Sequence, residues 1–320
     1  MTSRIIGTGS YLPELIIKND DLSKIMETSD EWIASRTGIR ERRLVKDETT
    51  AYMSIQAAKI AIEESGVRAE EIDLIIVGTI TGDYITPSTA CEVQAAIGAN
   101  RAAAFDVNAA CTGFMTALHT AYAYMAAGVY DTALVIGAET LSKIMDWDDR
   151  STCVLFGDGA GAAVVKKDTV GLISMVQGSD GQKGMNLSCK NRESKNPFNQ
   201  GKDTIYYTQM NGQEVYKFAV TKVPECISEV LEKANICTDE IKYFILHQAN
   251  MRIIQSVAKR LKVSEDKFPI SLDLCGNVSA ASIPILLDQV NKKGMLEKGD
   301  KLVLAGFGGG LTWGATVIEW

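Results

Sequence analysis

The sequence lacks the residues from which metal, disulfide and nucleic-acid sites are usually built. Only two histidines occur among 320 residues, and the seven cysteines are irregularly spaced, with no C-x-x-C pair. These absences argue against a thiolate zinc site and against a disulfide framework. The formal net charge is −7 at pH 7, and the sequence pI is near 5.1. Because binding to phosphate backbones needs a basic surface, nucleic acid is not expected as a partner.

Long apolar runs are also absent. No stretch approaches the roughly 20 apolar residues of a membrane span, and the apolar run within residues 1–13 is too short for a signal peptide. We therefore expect no membrane association and a cytoplasmic location. The apolar share of 46% and the charged share of 23% instead indicate a folded globular chain. A length of 320 residues allows one large α/β domain or two packed halves.

What the sequence does contain is a weak internal repeat. Residues 64–79 and 233–248 each indicate a helix end, an acidic turn and a buried strand. Leu134 and Leu302 lie in a second pair of matching strands, which are separated along the chain by nearly the same interval. Any two βαβ segments resemble each other, but the nearly constant offset favours a duplicated α/β unit. We predict halves at residues 1–167 and 168–320.

Cys111 lies where an apolar, strand-like segment gives way to a helical pattern. A helix N-terminus lowers the pKa of a thiol and so suits a nucleophile, whereas a small buried core residue is the alternative interpretation. The repeat offset leads from Cys111 to residues 277–280, so the pseudo-twofold would pair it with Asn277. His247 ends a buried strand, and ligands of such sheets gather beyond the carboxyl ends of strands. A thiol, an imidazole and a carboxamide suited to acyl transfer are therefore predicted to converge.

Six motifs run in order along essentially the whole chain. They are TSDEWIASRTGIR from Thr28, NAACTGF from Asn108, FGDGAG from Phe156, HQANMR from His247, GNVSAASIP from Gly276 and GFGGGLTWG from Gly306. With these motifs the chain resembles the β-ketoacyl-acyl-carrier-protein synthase III family of thiolase-like condensing enzymes. The resemblance implies an α/β fold of five layers, αβαβα, with two mixed sheets related by a pseudo-twofold. It also implies a homodimer that needs no metal or cofactor.

The activity implied by the resemblance is the first condensation of fatty-acid synthesis. An acyl group from acyl-coenzyme A would be carried on Cys111 and joined to malonyl-acyl carrier protein with loss of CO₂. The family triad would be Cys111, His247 and Asn277, and the backbone N–H groups of Cys111 and Gly309 would form the oxyanion hole. His119, the other histidine, lies two helical turns beyond Cys111. The two-histidine site of elongating condensing enzymes is therefore not expected here.

The resemblance also assigns two sets of substrate-binding residues. Coenzyme A would be bound by Thr28, Trp32, Arg36, Arg150, Phe156, Met210, Gln213, Tyr216, Ala249 and Asn250. Carrier protein, which is acidic, would dock on Gln248, Arg252, Lys217, Lys259 and Arg260. Gln213 and Tyr216 are chemically similar to the common family residues but not identical with them.

The first motif also reads as a helix from its residues alone. Thr28 to Glu31 form a capping box, and Gly38 ends the helix, which places Trp32 and Arg36 on one face. Trp32 either packs its own helix onto the core or, as the resemblance implies, stacks on the adenine of coenzyme A.

One position departs from the family pattern. Many relatives carry a bulky aromatic residue just before Pro87 that reaches across a dimer interface and closes the acyl pocket, but here Thr86 occupies that position. Thr86 and Phe156 would line the pocket, and the smaller side chain predicts a longer or branched primer unless Tyr84 or Ile85 fills the space. Two alternatives remain. One is a ketosynthase or acyltransferase of secondary metabolism, and the other is an inactive binding protein, which the retained triad disfavours.

Overall fold

The computed structural model of the protein describes residues 2–202 and 204–320. The strands of this part of the chain are β1 Thr2–Tyr11, β2 Leu15–Lys18, β3 Glu41–Leu44, β4 Leu74–Gly78, β5 Ala103–Val107, β6 Thr132–Thr140, β7 Asp158–Asp168, β8 Leu172–Ser179, β9 Leu187–Cys189, β10 Lys195–Asn196, β11 Asn199–Gln200, β12 Thr208–Met210, β13 Ile241–Leu246, β14 Lys301–Gly308 and β15 Thr312–Glu319. The helices are α1 Asn19–Leu22, α2 Asp30–Thr37, α3 Thr50–Ser65, α4 Thr89–Ile97, α5 Gly113–Ala126, α6 Gly212–Ala234, α7 Met251–Leu261, α8 Leu272–Cys275 and α9 Ser282–Lys292.

Two mixed sheets carry the architecture. The first has the order β1-β7-β6-β4-β5, in which β6, β4 and β5 are parallel and β7 and β1 are antiparallel to their neighbours. The second has the order β8-β15-β14-β13, with the same sequence of antiparallel and parallel pairings. The second sheet therefore repeats four strands of the first.

The strand register places the repeat at a constant offset. In the first sheet Leu74 pairs with Ala133, and in the second Tyr243 pairs with Leu302. The step along the chain from Leu74 to Tyr243 equals the step from Ala133 to Leu302. Ala110 and Ser279 are separated by the same step, and both have positive φ, at 45° and 44°. The predicted duplicated α/β fold is confirmed.

The same offset corrects one prediction made from the sequence. It makes Cys111 equivalent to Ala280, and makes Asn277 equivalent to Asn108. Cys111 and Asn277 are thus not symmetry mates, and the predicted pairing is wrong by three positions. The error arose because two weak sequence matches allowed a range of offsets, whereas the strand register fixes one value.

The elements stack as five layers, because the central strands are apolar on both faces. Helices α5 and α9 pack between the sheets, where Phe114 and Leu286 share a buried cluster with strand residues of both sheets. Helices α3 and α4 cover the outer face of the first sheet, and α6 and α7 cover that of the second. The carboxyl ends of the central strands and the starts of α5 and α9 consequently meet in the middle of the molecule.

Local predictions held to different degrees. Helix α3 has the predicted bounds, but the helix expected at residues 223–234 is the end of α6, which begins at Gly212. The N-cap of α2 is Ser29, whose hydroxyl accepts from the Trp32 N–H, so the expected cap at Thr28 was one residue early. β7 ends at Asp168 and β8 begins at Leu172 in the other sheet, and we propose that the halves divide there.

Across the described residues, no helix combines the length and apolar character needed to cross a membrane.

Candidate active site

Cys111 lies in a short turn, Ala110–Thr112, between the end of β5 and the start of α5. Its side chain is buried at 6% exposure, and the sulfur is hydrogen-bonded by the backbone N–H groups of Cys111 and Gly309. The approach of β14 to this turn requires glycine, since a Cβ on Gly308 would lie 2.7 Å from the Cβ of Cys111. The predicted nucleophile and the predicted oxyanion donors are thus in direct contact.

The electrostatics at Cys111 contradict the expectation of a lowered pKa. Burial raises the pKa of the Cys111 thiol to about 12, because the thiolate is poorly solvated there. Contacts with Ser279 and with the two backbone N–H groups lower the pKa but do not outweigh burial, and the nearby carboxyl group of Glu139 raises the pKa further. The helix start is present as predicted, but the effect of burial dominates.

His247 follows β13 and is buried at 2% exposure. Its backbone N–H donates to the carbonyl of Ala305 at 2.9 Å, and its ring meets Phe307 edge-on, with centroids 5.4 Å apart. A Cβ on Gly306 would lie 3.7 Å from the carbonyl oxygen of Cys111 and 3.8 Å from the Cβ of His247. Cys111 and His247 therefore both lie close to Gly306 on β14. Burial lowers the pKa of His247 to about 3, and the imidazole is therefore neutral at physiological pH. Its buried Nδ1 has no hydrogen-bond partner among the described residues.

Asn277 is fixed by its own backbone and by its side-chain oxygen. Its N–H donates to the carbonyl of Leu155 at 2.9 Å, and its carbonyl accepts from the Gly157 N–H at 3.0 Å. The side-chain Oδ1 accepts from the Ser279 N–H at 2.8 Å. Because Oδ1 is engaged in this way, the Nδ2 amide is the group left to donate to a ligand. Ser279 in turn contacts Cys111, so the two loops that carry Cys111 and Asn277 meet.

Glu139 and Ser279 are functional candidates that the sequence reasoning missed. Glu139 is fully buried at the end of β6, and its Oε1 accepts from the Ser279 hydroxyl at 3.2 Å. Its Oε2 accepts from the Thr81 hydroxyl at 2.5 Å and from the Ile80 N–H at 3.2 Å. Burial raises the pKa of Glu139 to about 7 despite these hydrogen bonds. The available signal was a carboxyl group inside the otherwise uncharged strand TALVIGAET.

A cavity of about 1060 Å³ reaches Cys111, and Phe156, Ser279 and Gly309 are among its lining residues. Thr86 is exposed and is not one of the lining residues, whereas Tyr84 and Ile85 are, at 63% and 81% exposure. Within a single chain, the predicted contribution of Thr86 to the acyl pocket is therefore not made. Its neighbours Tyr84 and Ile85 line the cavity instead, and that one of them fills the space of the missing aromatic stays a prediction.

Trp32 lies on the other side of the site, between two arginines. The guanidinium carbons of Arg36 and Arg150 lie 4.7 and 5.3 Å from its ring centroid, in cation–π contact. The indole also packs against the buried cluster beneath α2, so the packing interpretation holds for part of the ring. Arg150 donates to the carbonyl of Glu27, whereas the buried Thr28 hydroxyl finds no partner among the described residues.

A second cavity, of about 1120 Å³, is lined by Arg36, the neighbour of Trp32, and combines both sets of predicted substrate residues. It is lined by Arg36, Met185, Gln209, Met210, Asn211, Gly212, Gln213, Tyr216, Lys217 and Arg252. Asn250 connects two residues that line the mouth of this second cavity. Its Oδ1 caps α7 by accepting from the Arg252 N–H, and its Nδ2 donates to the carbonyl of Arg36 at 3.1 Å. Ala249 is the partly buried residue just before it.

The predicted carrier-protein residues do not form one continuous surface. Lys217 and Arg252 line the mouth, whereas Lys259 and Arg260 are exposed near the far end of α7. Gln248 is buried at 1% exposure, where its Oε1 accepts from the N–H groups of Ser271 and Leu272. A side chain engaged in this way cannot reach a partner surface, so Gln248 is not a docking residue.

Within residues 2–202 and 204–320, no group of three acidic, histidine or cysteine side chains is arranged to hold a metal ion.

Comparison with known proteins gives one consistent result. A family model described as 3-oxoacyl-[acyl-carrier-protein] synthase III matches residues 105–181, and a model of its C-terminal part matches residues 231–320. A beta-ketoacyl-[acyl-carrier-protein] synthase III of Clostridium novyi is 53% identical over 319 residues, covering 99% of this chain and 98% of the relative.

Solved structures agree in fold over the full length. The crystal structure of 3-oxoacyl-[acyl-carrier-protein] synthase III from Aquifex aeolicus superposes with a TM-score of 0.93 at 45% identity, covering 99% of this chain and 100% of that one. The priming β-ketosynthase of the R1128 polyketide biosynthetic pathway superposes with a TM-score of 0.94 at 34% identity, covering 99% and 96%.

Proposed function

This chain belongs to the 3-oxoacyl-[acyl-carrier-protein] synthase III family, and we propose that it starts fatty-acid synthesis by joining an acyl primer to malonyl-acyl carrier protein. The primer comes from acyl-coenzyme A and is carried on Cys111. The products are 3-oxoacyl-acyl carrier protein, coenzyme A and CO₂. The observation that carries this proposal is the Cys111 sulfur held against two backbone N–H groups in a buried pocket.

The first step is transfer of the acyl group to Cys111. The sulfur attacks the thioester carbonyl, and the oxyanion that forms is stabilised by the N–H groups of Cys111 and Gly309. Both donors belong to backbone beside the sulfur, next to the position where the charge develops on the thioester oxygen. One such donor contributes roughly 3–4 kcal/mol to the barrier reduction.

The second step is decarboxylation of the malonyl group. Loss of CO₂ leaves an enolate, whose oxygen needs hydrogen-bond donors in a dry site. The neutral His247 imidazole and the Nδ2 amide of Asn277 supply them, since burial keeps the imidazole uncharged and Oδ1 of Asn277 is already engaged. The enolate carbon then attacks the acyl group on Cys111.

Substrates enter through the mouth beside Trp32. We assign the adenine end of coenzyme A to Trp32, Arg36 and Arg150, and the acidic carrier protein to the basic rim of Lys217 and Arg252, because opposite charges favour docking. Lys259 and Arg260, in the last turn of α7, would form a second basic contact separate from this rim. Coenzyme A thioester acts here as a substrate, and no further cofactor is proposed.

We also propose a cytoplasmic homodimer in which the exposed loop with Tyr84, Ile85 and Thr86 meets the partner subunit. If Thr86 then faces the acyl pocket, the protein should use longer or branched primers in addition to acetyl. Thr86→Phe should lower the rate with such primers more than about tenfold while sparing acetyl-CoA, because added volume excludes the longer chain. Steady-state rates with a series of acyl-CoA primers measure this, and an unchanged primer profile contradicts the pocket assignment.

The decisive experiment is incubation with radiolabelled acetyl-CoA followed by isolation of the protein. Label should attach to the wild type and be absent from Cys111→Ser. Cys226→Ala is the matched control, because Cys226 is another buried thiol whose pKa burial raises to about 12. Absence of label, or equal label on Cys111→Ser, overturns the acyl-enzyme.

A second candidate function is a priming condensation of polyketide synthesis, which the likeness to the R1128 priming ketosynthase favours. The two functions share the chemistry at Cys111 but differ in the carrier protein used. Rates with carrier proteins of the two kinds, each loaded with malonyl, distinguish them.

A further inference from the structure

Glu139 is a fully buried carboxyl group near the nucleophile, and the steps above give it no role. Its Oε1 accepts from the Ser279 hydroxyl at 3.2 Å, and Ser279 is also a neighbour of the Cys111 sulfur. Because the hydroxyl proton is donated to Glu139, the Ser279 oxygen is left to accept from the Cys111 S–H, so one hydroxyl group lies on the path between the thiol and Glu139. Ser279 is held in that path by its backbone N–H, which donates to Asn277 Oδ1 at 2.8 Å.

The thiol needs a proton acceptor, because burial strongly disfavours a free thiolate at Cys111. His247 is a poor base, since burial lowers its pKa to about 3. Glu139 is better matched, because its pKa of about 7 leaves it substantially ionised at neutral pH and able to retain a proton once it receives one.

We propose that Glu139 accepts the proton of Cys111 through the Ser279 hydroxyl as the sulfur attacks the primer thioester, an inference that rests on the proposed function. The S–H proton passes to Ser279 Oγ, and the proton of that hydroxyl passes to Glu139 Oε1. The sulfur electron pair forms the bond to the acyl carbon, and coenzyme A leaves as a thiolate that solvent protonates. When condensation later expels the Cys111 thiolate, the proton returns along the same path. Ser279 touches the reacting sulfur, and Glu139 is a positioning residue that acts through it.

The transfer also removes a charge from the site while the enolate forms. A carboxylate at Glu139 would repel the developing enolate strongly in a dry pocket, whereas a carboxylic acid does not. Oε2 is already engaged by the hydroxyls of Thr79 and Thr81 and the N–H of Ile80, so the proton belongs on Oε1, facing Ser279.

The charged groups around Glu139 have partners of their own. On β7, Asp158 accepts from Ser142 and from the Val45 N–H, and its pKa is raised by burial. Beyond the end of β6, Lys143 donates to the carbonyl of Thr81 and pairs with Asp83 at 3.5 Å. Cys111 is the ionisable group at the other end of the path, so a titration of acylation near pH 7 is assigned to Glu139.

The test is the single-turnover rate of Cys111 labelling by radiolabelled acetyl-CoA, measured from about pH 5.5 to 9. The wild-type rate should rise to a plateau with a midpoint near 7. Glu139→Gln keeps the side-chain shape and the acceptor for Thr81 but takes no proton. It should be about 100-fold slower and should lose the midpoint, its rate rising continuously with hydroxide. Ser279→Ala interrupts the path from the other end and should produce both changes.

Two further variants separate proton transfer from structural support. Glu139→Asp retains a carboxyl group and should restore a midpoint together with part of the rate. Asp288→Asn is the matched control, because Asp288 is a fully buried acid bonded to Thr8 and Ser10 in another network, and it should keep both rate and midpoint.

The outcomes are distinct. Labelling of either Glu139→Gln or Ser279→Ala within about twofold of wild type overturns the inference, as does a slower rate that keeps the midpoint near 7. If Glu139→Gln does not fold, Ser279→Ala decides. Wild-type protein that takes no label on Cys111 overturns the proposed function as well, so the two failures are told apart.

Discussion

The two halves of the molecule bring the same backbone to the active site and attach different chemistry to it. Glu139 on β6 and Gly308 on β14 are equivalent in the repeat, and each approaches the short turn of the opposite half. Glu139 fills its space with a carboxyl group that reaches Ser279, whereas Gly308 leaves room beside Cys111. A duplicated fold thus forms an asymmetric site, because one of two equivalent positions carries an ionisable side chain and the other carries none.

The turns themselves differ in the same manner. Ala110 and Ser279 share a left-handed backbone, but the next residue is Cys111 in one half and Ala280 in the other. Asn108 and Asn277 are also equivalent, yet Asn108 is exposed and Asn277 is 6% exposed. The first half thus contributes the nucleophile, and the second contributes the buried hydrogen-bond donors.

The largest expected effect separates these two contributions. Cys111→Ala should lower condensation by about 10⁴-fold or more, because the nucleophile is gone, yet it should still release CO₂ from malonyl-acyl carrier protein. His247→Ala should do the reverse, accepting label from acetyl-CoA while losing CO₂ release. Scintillation counting of ¹⁴CO₂ and of protein-bound acyl groups measures both. Loss of both activities in each variant would show that the halves do not divide the chemistry in this way.

A smaller effect is expected from the pair of equivalent asparagines. Asn277→Ala should slow decarboxylation by about 10²–10³-fold, because one donor to the enolate oxygen is removed. Asn108→Ala, the symmetry-related control, should stay within about twofold of wild type, because its side chain is exposed. The rate of CO₂ release reports the difference, and equal losses would contradict the assignment of the donor to the second half.

The frame and the triad could be predicted because they depend on features local to the sequence. The repeat offset, the apolar strands and the motifs around Cys111, His247 and Asn277 all lie in short segments. The topology rule that places ligands at the carboxyl ends of strands brought in His247, whereas Asn277 came from a repeat pairing with Cys111 that the strand register corrects.

What could not be predicted depends on contacts between distant segments. The raised pKa of Cys111 results from burial by the folded chain, which outweighs the helix start that the sequence does show. Glu139 and Ser279 are also far apart in the sequence, and a carboxyl group at a strand end does not by itself reveal its partner. Gln248 sits in a recognisable motif, but only the fold shows that its side chain is turned inward.

The next prediction concerns the space left by Gly308. Gly308→Ala should slow Cys111 labelling by about 100-fold, because its Cβ would lie 2.7 Å from the Cβ of Cys111 and 2.9 Å from its backbone N, displacing the sulfur from its donors. Gly306→Ala lies two residues away on the same face of β14. Its nearest neighbour is a flexible Ile283 methyl group at 3.3 Å, so it should cost no more than about fivefold. Equal effects on labelling would remove the special role of position 308.

The smallest expected effect is a pair of opposite pH dependences of stability, one from each half. His247 has a pKa of about 3 in the folded protein, against an ordinary value of 6.5. The unfolded chain therefore binds the extra proton, and His247 destabilises the fold as pH falls below about 6.5. Glu139 has a pKa of about 7 in the folded protein, against an ordinary value of 4.5. Its contribution to the stability of the fold is therefore full below about pH 4.5 and is lost as pH rises to about 7.

Between about pH 5 and 6.5 each buried group therefore changes the free energy of unfolding by about 1 kcal/mol per pH unit, with opposite signs. Relative to wild type, His247→Gln should gain stability as pH falls through this window, and Glu139→Gln should gain stability as pH rises. Denaturation midpoints in urea at several pH values measure both slopes, and the double variant should show their sum because the residues belong to separate halves. Slopes of the same sign would mean that one of the two groups is charged in the folded protein, and the contrast between a neutral imidazole and a proton-holding carboxyl group would be lost.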